Sequence, residues 1–150
     1  MPVTGSTAQF ECNVTADDDE FLEKFEGCLL PESEWTHLAH IRVAWICLNS
    51  EREDSALARI RDGILRYNTE VLGRRHKYHE TVTVAYTRIV ASRIRRGEPW
   101  VEFAKRIDDL LDTRLPILLR YYSKKHLFSD AARTSYVEPD VLDIPGPNLR

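Results

Sequence analysis

The 150-residue sequence has no uninterrupted apolar run approaching about 18 residues, the length a membrane-spanning helix needs. Its first ten residues have neither the basic nor the apolar stretch of a secretory signal, so a cytoplasmic protein is expected. The three cysteines, Cys12, Cys28 and Cys47, are odd in number, and Cys47 sits within an apolar helical pattern. Reduced thiols are therefore expected rather than a disulfide framework. No glycine-rich phosphate loop is present: Gly27, Gly63, Gly73 and Gly97 stand singly. The His-Glu-x-x-His zinc motif, paired cysteine ligands and recognisable Ser or Cys nucleophile motifs are also missing. A formal net charge of -3 removes any global attraction to nucleic acid or anionic lipid, so neither nucleic acid nor a membrane is an expected partner. No internal repeat and no sustained apolar alternation argues for a solenoid or a sheet.

What the chain does have is 43% hydrophobic residues, enough for one packed domain of this length. Helical periodicity dominates. The reading is an all-α, single-domain bundle of about five to six helices. A flexible N-terminal arm is assigned to 1–16, the helical domain to 17–136, and an extended Pro-containing tail to 137–150.

Asp17 to Asp19 favour a helix start, and Phe21, Leu22 and Phe25 give its buried face until Gly27 ends it. A second helix is expected from Pro31 to Asn49, with Ser33 as cap. Its later half is apolar almost all round, which marks it as the central helix. Leu57, Ile60, Ile64, Tyr67 and Val71 form the stripe of an amphipathic helix closed by Gly73. Tyr78, Val82, Ala85, Tyr86, Ile89 and Val90 define another, reaching about Arg96. Pro99 opens a fourth long helix through Leu111, a short one begins at Pro116, and Ser129 caps a last turn.

Histidines are the most informative chemical residues. At about 100° per residue, His37 and His40 share one face of the central helix with Ala44, a small residue that leaves room beside them. The same construction turns His79 inward beside Val82 and Ile89, with Glu80 a quarter turn away and His76 in the preceding connector. Convergence of His37, His40, His76 and His79 would suit a transition metal, Zn or Fe, since imidazole binds both. Only Glu34 to His37 has the Glu-x-x-His spacing of a di-iron bundle, which leaves that pattern incomplete. Without metal, His79 or His40 would act as base, Glu80 would orient an imidazole, and Arg42 or Tyr122 would steady a developing negative charge. Tyr78 and Tyr122 are the candidate substrate contacts.

A small helical enzyme acting on a small organic molecule follows from this placement. Its rival is a noncatalytic ligand-binding or protein-interaction module, in which each histidine is a core residue bonded to a carbonyl or tyrosine. The expected partner is a small-molecule ligand or substrate, and the Trp-rich faces allow a homodimer. Arg42, inside an apolar helix, points to a buried ion pair or an anion contact, with Glu80, Glu26 or a ligand as partner, the alternative being a helix edge reached by solvent.

Overall fold

A computed structural model describes residues 13–114 and 116–147, and among them every regular element is helical. Four helices are long: α1 (Ala16–Glu26), α2 (His37–Ser50), α3 (Glu53–Tyr67) and α4 (Glu80–Ala91). Four are single turns: α5 (Trp100–Ala104), α6 (Asp108–Leu111), α7 (Lys124–Leu127) and α8 (Asp130–Thr134). The last begins at Ser129, whose side chain caps it as expected.

Thr15 and Asp18 start α1 by a reciprocal capping box: the Asp18 amide donates to Thr15 Oγ1 at 3.3 Å and the Thr15 amide to Asp18 Oδ2 at 2.9 Å. The helix ends at Gly27, as expected. Gly27 keeps a negative φ of -85°, and the left-handed residue is Cys28, at φ 60°. That geometry lets the Leu29 and Leu30 amides both reach the Lys24 carbonyl, at 2.8 and 3.2 Å.

α2 begins at His37, three residues after the Glu34 start that a Ser33 cap implies. Glu32–Glu34 form a tight 3-10 turn, Trp35 leaves helical geometry at ψ 70°, and Thr36 rather than Ser33 caps the helix, accepting from the Ala39 amide at 3.2 Å. Ile41, Val43, Trp45, Ile46 and Cys47 are each 2% exposed or less, and α2 packs against α1, α3 and α4 together. It is the central helix because apolar side chains leave it no solvent face over those turns.

On α3, Ala56, Ile60, Gly63 and Tyr67 are buried. Gly63 has a packing role: a Cβ there would lie 2.6 Å from Phe25 Cε2, so the α1 ring rests directly on the α3 backbone. The chain continues as a π-helical turn, Asn68–Leu72, and is reversed by Gly73 at φ 62°. α4 starts at Glu80 with His79 as its cap.

The expected long helix from Pro99 to Leu111 is interrupted. Ile107 adopts φ -119° and ψ 29° between α5 and α6, which lets Phe103, Ile107 and Leu110 all be buried. Two Arg–carboxylate pairs, Arg93 with Asp109 and Arg106 with Glu98, brace this bend.

Both chain ends are held in the domain where they are described. Residues 1–12 of the expected arm lie outside the described residues. Asn13, within the same assignment, is 1% exposed and donates to Asn49 Oδ1 at 2.9 Å and to the Arg95 carbonyl at 3.0 Å. Beyond α8 no helix forms among the described residues. Val137 instead receives Tyr122 Oη at its carbonyl, 2.7 Å, and donates its amide to Thr81 Oγ1 of α4, 3.1 Å. Asp140 accepts from the Ser123 amide and hydroxyl.

Candidate functional site

Because α2 is the common neighbour of α3 and α4, the space where the three meet is walled by side chains from each. Ile41 and Ala44 of α2, Ile60 and Ile64 of α3 and Val82 of α4 surround a cavity of about 220 Å³. His37 and His40 of α2 and Thr83, Tyr86 and Thr87 of α4 supply its polar atoms. Ala44 follows His40 by one turn, and its small side chain leaves the volume open.

His40 is held from two sides. Its Nδ1 lies 2.8 Å from the Thr36 carbonyl, one turn back, and its ring stacks on Trp35 with centroids 3.7 Å apart and planes 28° from parallel. A carbonyl oxygen only accepts, so the bonded nitrogen carries the hydrogen and Nε2 is left with a lone pair. Burial moves the His40 pKa from 6.5 down to about 4, against the Thr36 carbonyl, which favours the protonated ring, and with help from His37. At neutral pH His40 is an uncharged acceptor. His37 is fixed in the same manner: Nε2 lies 2.8 Å from the Leu110 carbonyl, and the Tyr86 ring meets the imidazole edge-on at 5.0 Å. In the neutral ring, Nδ1 is then the acceptor. Burial also raises the Tyr86 hydroxyl above its ordinary value.

The other expected site residues are engaged elsewhere. His79 caps α4: Nδ1 accepts from the Val82 amide at 3.2 Å and Nε2 donates to the Leu127 carbonyl at 3.0 Å. Burial pulls its pKa down, with the Leu127 carbonyl opposing. As a cap its backbone is extended rather than helical, so the helical-wheel angle that turned it inward does not apply. Glu80 is gripped by Arg61, at 2.6 and 3.0 Å, and receives the Tyr78 hydroxyl at 2.6 Å. Burial alone would raise the Glu80 carboxyl, but these donors outweigh it and hold it below the usual range. Glu80 therefore orients neither histidine, and Tyr78, its phenol raised by burial and by Glu80, is its bonding partner.

Arg42 pairs with Asp18, a partner absent from the sequence expectation, at 2.7 Å, and lies over the Phe21 ring at 4.6 Å. Asp18 is 2% exposed, so the pair ties α1 to α2 and is not an anion site. Tyr122 is buried with its hydroxyl on Val137. His76 is exposed in the 3-10 turn Arg75–Lys77.

The four-histidine convergence is thus not formed. Among the described residues no three His, Cys, Asp or Glu side chains are gathered as metal ligands. His37 and His40 fall short of the three protein ligands of a catalytic zinc site, so the donor set does not fit the expected Zn or Fe. Cys47 is no nucleophile either, since burial pushes its thiol up to about 12.

Comparisons with family models, curated proteins and solved structures find no match. The site therefore stands on its own geometry. Sequence reasoning grouped His40 with His37, His76 and His79, whereas the cavity joins it to His37, Tyr86, Thr83 and Thr87. One signal for the missed residues was available: Thr83, Tyr86 and Thr87 recur at three and four positions, a polar stripe on an otherwise apolar helix.

Proposed function

We propose that this protein binds a small, largely apolar organic molecule in the cavity between α2, α3 and α4, without transforming it. The observation that carries this reading is the cavity itself, about 220 Å³, with five aliphatic walls and a few convergent polar groups. A cavity of roughly 150 Å³ accommodates benzene, so this one suits a molecule of one or two fused rings. The noncatalytic form is favoured by the His40 pKa of about 4, which makes the imidazole a weak base at neutral pH. Glu80 and Arg42, the groups expected to assist it, are tied to Arg61 and Asp18.

Ala44→Phe tests the reading, because the added ring would occupy the cavity. Small aromatic compounds are expected to raise the Tm of the wild-type protein and to shift NMR signals of His40 and Tyr86, with neither response in the variant. Equal responses in both proteins would place binding elsewhere and overturn the proposal.

A further inference from the structure

The hydrogens of the cavity's polar groups are almost all committed to the protein. Thr83 Oγ1 donates to the His79 carbonyl at 3.0 Å, and Thr87 Oγ1 donates to the Thr83 carbonyl at 2.8 Å, each bonding one turn back along α4. His40 gives its ring hydrogen to Thr36, and His37 gives its own to Leu110. What these four side chains retain is lone pairs. Tyr86 is the one remaining hydroxyl among the lining residues. The cavity is therefore rich in acceptors and poor in donors, and among the described residues its lining contains no Asp, Glu, Lys or Arg.

We infer that the cavity selects a neutral ligand that donates a hydrogen bond from an apolar aromatic body, of the phenol or indole class, with His40 Nε2 as the selecting acceptor. This deepens the proposed binding function and rests on it. A carboxylate would meet mostly acceptor atoms, with the Tyr86 hydroxyl as the one uncommitted donor and no Lys or Arg among the lining residues, so anions are disfavoured. An ammonium would be buried without a counter-charge, which disfavours cations of the same size. An ether or N-methyl analogue keeps the apolar contacts but leaves the imidazole acceptor unmatched. His40 suits this role because Thr36 fixes its tautomer and Trp35 its ring plane before any ligand arrives.

The test compares isosteres on the intact chain by calorimetry and by NMR: indole with 1-methylindole and indene, and 2-naphthol with 2-methoxynaphthalene and 2-naphthoate. Indole and 2-naphthol are expected to bind about tenfold more tightly than their non-donating analogues, and naphthoate not measurably. In His40→Phe, which keeps an aromatic ring against Trp35, the donor preference should collapse while indene binding persists. Equal affinities for indole, 1-methylindole and indene in the wild-type protein would overturn the acceptor assignment and leave the cavity reading standing. Donor selectivity unchanged in His40→Phe would refute His40 as the selecting group. If no probe binds, indene included, the cavity reading fails and this inference with it.

Discussion

The half-buried, neutral state of His40 makes the stability of the domain depend on pH in a defined direction. In the unfolded chain this imidazole takes up a proton near pH 6.5, whereas in the folded protein it resists until about pH 4. Between those values the unfolded state binds more protons, so stability rises with pH across the window and is lost on acidification. The full displacement, from 6.5 to about 4, corresponds to about 2–3 kcal/mol once the part of the ring that solvent reaches is allowed for. Urea unfolding of wild-type protein and His40→Phe, followed from about pH 7 to about pH 4.5, isolates this contribution. His79, also displaced downward, and the carboxylates are common to both proteins and cancel in the comparison. Wild type should lose ~2 kcal/mol more than the variant over that range, with an unchanged dependence on urea. Parallel losses in the two proteins would refute the reasoning, as would a His40 ring signal that titrates near pH 6.5 in the native protein.

Three further substitutions have worked outcomes. Gly63→Ala improves intrinsic helix propensity by ~1 kcal/mol, yet its methyl would meet Phe25 at 2.6 Å; a net loss of about 1–3 kcal/mol is expected in denaturant titration, and a gain would contradict the close approach of α1 to α3. Cys28→Gly relieves a left-handed residue at φ 60° and should stabilise by up to ~1 kcal/mol, read as a higher Tm, whereas Cys28→Ala should not. Asp18→Ala removes both the capping box and the partner of Arg42, for a loss of about 2–4 kcal/mol. The same change should cost less when Arg42 is already Met, and strict additivity would show that the ion pair contributes nothing.

His37, His40 and Ala44 were placed together by helical spacing because all three lie inside one helix, where a single backbone geometry sets every side-chain direction. His79 was misplaced by the same construction because it stands at the boundary of α4, where the backbone is extended and the ring serves as a cap. Arg42 was recognised as needing a partner, but Asp18 lies 24 positions away on α1, a separation that no local pattern spans. The split at Ile107 was hidden for a similar reason: the apolar stripe runs on through it, and the break serves the burial of three side chains in a common core.

The sequence by itself determined that the described chain is helical, that the segment ending near Asn49 is central, and that His37 and His40 share a face. Those properties follow from periodicity and propensity within one helix. Which histidine meets which wall, and where the His37 ring hydrogen goes, depended on carbonyls and side chains brought in from other elements. Thr36 takes the hydrogen of His40 within the first turn of α2, but only the tertiary structure decided that Leu110 takes that of His37 and that Trp35 stacks on the His40 ring. A local code sets direction along a helix, whereas the partner of each polar atom is set by packing between helices distant in sequence.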